Sequence, residues 1–120
     1  MKVKRVVVES LDEFFEELKE LAVMSEGKKE YVSIGSIEEL NHILTPQRKR
    51  LLDVIKNKKP SSVNELAKLV DRDYKNVYED VVLLERTGFL KLKREGKKLV
   101  PIVDYDVIDV QVKVGDSLKV

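Results

Sequence analysis

The sequence predicts an α+β fold: a winged helix–turn–helix carrying an N-terminal β-α-β-α extension and a C-terminal strand. Three observations point there. The stretch SVNELAKLVDRDYKNVYEDVVLLERTGF over residues 62–89 has helical apolar spacing on both sides of a short acidic and basic break. The stretch LKLKREGKKLVPI follows at once, two strand-like runs around a glycine. Positive charge collects on this same part of the chain. Residues 45–100 hold 15 Lys/Arg against 8 Asp/Glu, a net +7, whereas residues 1–44 are at −4 and residues 101–120 at −2. Such asymmetry is the footprint of a surface that meets a polyanion, because neutralised phosphates release counterions.

Each element has its own local reason. Lys2 to Glu9 is rich in Val and reads as a strand. Ser10 with Glu13 forms a capping box, whose two side chains satisfy orphan helix N–H groups reciprocally. The helix that follows runs from Leu11 to about Met24, with Leu11, Phe14, Phe15, Leu18 and Leu21 as its apolar stripe. Glu30 to Ile34 reads as a second short strand, and Ser36 with Glu39 opens a short helix burying Ile37, Leu40, Ile43 and Leu44. Thr45-Pro46 starts the next helix, Thr as cap and Pro at the first helical position.

That helix runs to about Lys56, with Leu51, Leu52, Val54 and Ile55 available for burial. Ser62 and Glu65 form a third capping box, and Val63, Leu66, Ala67 and Val70 face inward. Asp71-Arg72-Asp73 is the turn, with Asp71 or Asp73 capping the next helix, about Tyr74 to Thr87. At ~100° per residue, Val77, Val81 and Leu84 share one face with Tyr74, while Lys75, Asn76, Glu79 and Arg86 lie towards the other. Gly88 is placed to take a left-handed C-cap. Leu90–Lys93 and Lys97–Val103 are the hairpin strands around Arg94-Glu95-Gly96. Ile108, Val110, Val112 and Val114 then alternate with Asp109, Gln111 and Lys113 in a last amphipathic strand. The chain divides into an extension for packing or dimerisation (1–44), the winged helix–turn–helix (45–103), and a strand with tail (104–120).

This order of elements places the second helix of the pair in a DNA major groove and the hairpin beside it. Arg72, Tyr74, Lys75, Asn76, Tyr78 and Glu79 are the candidate contacts of that helix. Lysine can bond guanine or phosphate, asparagine can read adenine, and glutamate can accept from a cytosine amino group. Glu79 and Asp80 otherwise repel the DNA backbone, unless the protein pairs them with its own cations. On the wing, Lys91, Lys93, Arg94, Lys97 and Lys98 place five cations on one hairpin, for phosphates or simply to protect a sheet edge. Arg48, Lys49 and Arg50 either add phosphate contacts or form a solvated face.

The residues point to no catalysis, no metal and no cofactor. His42 is the sole histidine and cysteine is absent, which excludes disulfides and thiolate chemistry and fits a cytoplasmic protein. Asp104, Asp106 and Asp109 lack the glycine and glutamate of a calcium loop. No apolar run reaches membrane-spanning length. The expected partners are double-stranded DNA and a second copy of the chain, with strands from the two chain ends pairing together or exchanging across a two-fold axis. The competing reading is a winged-helix protein–protein interaction module that does not touch DNA.

Residues 62–90 resemble the winged helix–turn–helix of MarR-type regulators, with SVNELAKLV and LLERTGFL matching that pattern. Asp71 stands for the usual turn glycine and Arg72 for the usual apolar residue. A wider resemblance is to a family of small prokaryotic predicted transcriptional regulators, some regarded as antitoxin-like DNA-binding proteins. SIEELNHILTPQRKRLLDVI (36–55), DRDYKNVYEDVVLLERTGFL (71–90) and VPIVDYDVIDVQV (100–112) carry it. The resemblance implies sequence-specific DNA binding and, for some members, autoregulation beside a toxin gene, which would make a toxin a further partner.

Overall fold

The computed structural model describes residues 1–9 and 31–114. The expected helix over Leu11–Met24, its capping box and the tail from Gly115 lie outside the described residues. The chain is mixed α and β. In order it has β1 (Val3–Val8), β2 (Val32–Ile34), α1 (Ile37–Ile43), α2 (Pro46–Lys58), α3 (Val63–Leu69), α4 (Tyr74–Arg86), β3 (Lys91–Glu95), β4 (Lys98–Ile102) and β5 (Val107–Val112). Two compact units emerge. One draws on both chain ends, within Met1–Asn41 and Asp106–Val120, and the other is His42–Tyr105.

In the first unit β1 is the centre of a three-stranded parallel sheet in the order β2-β1-β5. Val6 pairs with Val32 on one side and with Val110 on the other. Val6, Val8, Val32 and Ile34 are all buried. They lie on one face because their paired positions share parity, and a valine-rich run suits a parallel strand covered on its faces. Lys2 ties the two ends together: its N–H donates to Asp106 Oδ2 at 2.9 Å and its carbonyl accepts from Asp106 N–H at 2.7 Å. Of the short helix α1, only Ile43, which belongs to the second unit, is buried, and Ile37 is 52% exposed. The inward place expected for Ile37 is therefore corrected. A helix of seven residues turns only part of its surface inward, and Ile37 stands at its open first turn.

In the second unit three helices precede a β-hairpin. Leu51, Leu52 and Ile55 of α2, Val63, Leu66 and Ala67 of α3, and Val77, Val81 and Leu84 of α4 are buried with Val70, Phe89, Leu90 and Tyr105. The caps explain the boundaries. Thr45 Oγ1 accepts from Arg48 N–H at 3.3 Å with Pro46 at the first helical position, and Ser62 Oγ accepts from Glu65 N–H at 3.0 Å. Glu65 reaches back past its cap to Ser61, accepting from the backbone N–H at 3.1 Å. Glu39 does the same with Gly35 at 3.2 Å.

Both ends of the α3–α4 pair close by the same device. After α3, Arg72 N–H donates to the Ala67 carbonyl and Asp71 N–H to the Lys68 carbonyl. After α4, Phe89 N–H donates to Leu84 and Gly88 N–H to Glu85. This is the Schellman pattern, which needs a left-handed residue at its corner. Gly88 supplies it at φ 93° and Asp71 at φ 54°. Aspartate is among the few L-residues that tolerate this region. Asp71 thus stands where a glycine is usual and adopts the glycine's conformation, so it does not cap α4. Asp73 occupies the N-cap position of α4 without a side-chain hydrogen bond, so neither aspartate plays the capping role expected of it.

The hairpin turn is tighter than the sequence suggests, and Lys97, expected in the second strand, lies in the turn. β3 runs on to Glu95, which pairs with Lys98, so the turn is Gly96-Lys97 and Arg94 lies within the strand opposite Leu99. Gly96 takes φ 62°, and a glycine first in a two-residue loop matches the twist of the flanking strands.

Candidate nucleic-acid interface

A cleft of about 450 Å³ opens in the second unit, lined by Ser62, Val63 and Asn64 at the start of α3, Tyr74 and Tyr78 of α4, and Arg94, Lys97, Lys98 and Leu99 of the hairpin. Tyr74 and Tyr78 are one helical turn apart and stack, with centroids 5.9 Å apart and planes 28° from parallel. Both rings are partly exposed, at 47% and 38%. Hairpin register accounts for Arg94, while Lys97 and Lys98 reach the cleft from the turn end of the hairpin. Arg94 shares a strand face with Leu92 and Leu99, while Lys97 and Lys98 sit at and beside the turn. Arg94, Lys97 and Lys98 are exposed, and none is held in an ion pair among the described residues.

Lys91 and Lys93 are placed differently. They occupy alternate β3 positions on the strand face opposite Arg94. Lys91 Nζ binds Asp104 at 2.9 Å and Lys93 Nζ lies 3.4 Å from Glu95. The hydrogen bond to Asp104, aided by its charge, raises the Lys91 pKa. The five hairpin cations therefore divide, three lining the cleft and two engaged elsewhere.

On α4, Lys75, Asn76 and Glu79 are exposed, and no ion pair engages them among the described residues. Asp80, one residue on, is turned inward and held by two guanidiniums. Arg48 Nε lies 3.1 Å from its Oδ1 and Arg72 Nη2 lies 2.9 Å from its Oδ2. Arg48 Nη1 also donates to the carbonyls of His42 at 2.6 Å and Ile43 at 3.1 Å. One arginine thus joins the end of α1, the start of α2 and the middle of α4. Arg72, placed by sequence among the outward-facing contacts, is committed to Asp80 with its side chain only 25% exposed. The reason is electrostatic: a carboxylate that is itself only 14% exposed gains more from a charged donor than solvent offers it. Lys49 binds Asp53 at 2.7 Å, so of the three cations beginning α2 only Arg50 is both exposed and without an ion pair among the described residues.

Sequence reasoning missed Ser62 and Asn64 as cleft residues, since their spacing signals only a helix start. It also missed Tyr105. This buried tyrosine donates its hydroxyl to the Phe89 carbonyl at 2.6 Å, fastening the chain after β4 to the corner after α4. Burial, with the Asp104 charge adding to it, pushes its pKa up to about 12.

Chemically, the cleft offers three cations, two phenolic hydroxyls, a serine hydroxyl and an amide around one opening. Such a donor set suits an extended anion with several oxygens. Among the described residues no cluster of His, Cys, Asp and Glu could hold a metal ion, and no helix is long and apolar enough to cross a membrane.

Comparison with known proteins adds one finding. Neither the curated proteins nor the solved structures include a match. A family model, HVO_A0114, matches residues 43–110, more than half of the chain and the whole run from α2 to β4. The chain belongs to the HVO_A0114 family.

Proposed function

We propose that this protein is a sequence-specific double-stranded DNA-binding transcriptional regulator, with α2–α4 and the β3–β4 hairpin forming a winged helix–turn–helix. One observation carries the reading: Tyr74 and Tyr78 of α4 meet Arg94, Lys97 and Lys98 of the hairpin around a single opening. In this reading α4 enters a major groove with Lys75, Asn76 and Glu79 towards the base edges. The cleft grips phosphate beside it, and Tyr78 lies at the boundary between the two. Arg72 braces the α3–α4 turn through Asp80 and leaves phosphate binding to the hairpin. The net +7 of residues 45–100 supports the reading, as does the resemblance to small prokaryotic regulators. The same resemblance extends the proposal to an antitoxin-like autoregulator with a toxin partner. A homodimer fits as well, since two-fold readers meet half-sites about one helical turn apart.

Exposed Glu79 and Glu85 favour the competing interaction module, because acids on that helix repel a DNA backbone. Asp80 weakens that objection, since Arg48 and Arg72 already neutralise it.

The test is fluorescence anisotropy with duplex fragments selected from genomic DNA, across a salt series. Wild type is expected to lose affinity steeply, the log–log slope being about −0.9 per phosphate neutralised. Lys97→Ala with Lys98→Ala should flatten that slope by up to about 2 and leave sequence preference intact. No selected fragment, or a double variant that binds with the wild-type slope, rejects the reading.

A further inference from the structure

We infer that a second copy of this chain adds to β5, edge to edge and antiparallel, with Gln111 on the two-fold axis. β5 pairs with β1 along one edge, and among the described residues no strand covers its other edge. The strand is exposed almost throughout. Val110 and Val112 are 41% and 44% exposed, and Val114 beyond the strand is 90% exposed. Their partners on the same face, Val6 and Val8, are buried. Among the described residues an apolar face therefore runs out to a strand edge that no other strand pairs with, and such an edge templates pairing with another strand.

The occupant is argued from self-complementarity. When β5 meets its own copy antiparallel about Gln111, Asp109 stands opposite the partner's Lys113, and Lys113 opposite the partner's Asp109. On the other face Val110 meets the partner's Val112, and Ile108 meets the partner's Val114. Opposite charges face each other on one side and branched apolar residues on the other, both favourable cross-strand pairings. Centring on Asp109 instead would set that carboxylate against itself. Centring on Val110 would put Asp109 against the partner's Gln111 and Val107 against Lys113. A shift to a centre between two residues would set valines opposite polar side chains, because alternation has a period of two. Of these registers only the Gln111 centre satisfies both faces. The product is a six-stranded sheet, β2-β1-β5 continuing into its copy, and it needs no DNA.

The experiment uses the full chain without nucleic acid. Sedimentation equilibrium should find wild type dimeric at tens of micromolar. Asp109→Lys alone, or Lys113→Asp alone, should weaken the dimer about 10-fold or more, since like charges then stand opposite in two symmetric pairs. The combined Asp109→Lys, Lys113→Asp chain should return towards wild-type affinity. The native chain has no cysteine, so Gln111→Cys reports contact cleanly. Opposite residues of an antiparallel pair lie about 4.5–5.5 Å apart at Cα, within disulfide reach. Gln111→Cys should oxidise to a covalent dimer while Asp109→Cys stays monomeric on a non-reducing gel. A monomeric wild type overturns the inference, as does a dimer in which Gln111→Cys fails to cross-link or the charge swap fails to rescue. None of these outcomes bears on the cleft at α4, whose test is the DNA titration.

Discussion

Tyr105 and Asp80 show how single side chains hold the second unit in shape. The Tyr105 hydroxyl bonds the Phe89 carbonyl at 2.6 Å. Replacing it with phenylalanine strands that acceptor and is expected to cost about 1 kcal/mol in urea unfolding at neutral pH. The pH dependence follows in sign. In the fold Tyr105 keeps its proton up to about 12, above the ordinary value of 10.0, so ionisation is easier in the unfolded chain. Its contribution is complete below about pH 10 and is lost as pH rises towards 12. Wild type should therefore lose more stability than Tyr105→Phe between these limits, and identical alkaline slopes would contradict the assignment. Asp80 pairs with both Arg48 and Arg72. Asp80→Asn removes the charge from two charge-assisted hydrogen bonds and should lower stability by about 2 kcal/mol. An unchanged urea midpoint would show the cluster to be ornamental to folding.

At the scale of elements the α3–α4 connection is the informative one. Its corner residue, Asp71, holds φ 54°, a region costing most L-residues about 1–2 kcal/mol. Asp71→Gly should be at least as stable as wild type, whereas Asp71→Val should lose about 1–2 kcal/mol. Thermal unfolding of the pair measures both, and a valine variant as stable as the glycine variant would mean the corner relaxes. The helices were legible beforehand because caps and apolar spacing act over three or four residues: Thr45, Ser62 and Gly88 stand where their residue types predicted. The hairpin was legible as a hairpin, but its turn moved to Gly96-Lys97, since cross-strand pairing draws Glu95 against Lys98. That shift places Arg94 on the strand face opposite Lys91 and Lys93.

At the scale of the whole molecule the chain returns to its beginning. Lys4 pairs with Ile108 and Val6 with Val110, partners separated by most of the sequence. A parallel pair requires a crossover connection, and here the entire second unit lies within it. The apolar alternation of β5 was visible in the sequence, but nothing local names β1 as its neighbour. The starts of α2 and α3, the glycine stop of α4, the hydrophobic faces of α2, α3 and α4, the basic character of residues 45–100 and the presence of a hairpin could all be read from the chain. These are short-range properties, carried by backbone capping and side-chain period. Folding alone turns Arg72 to Asp80, brings three hairpin cations and not five to the cleft with Tyr74 and Tyr78, and sets β1 between β2 and β5. Each depends on distant segments meeting in one register, and that is chosen by the packing of the folded chain as a whole.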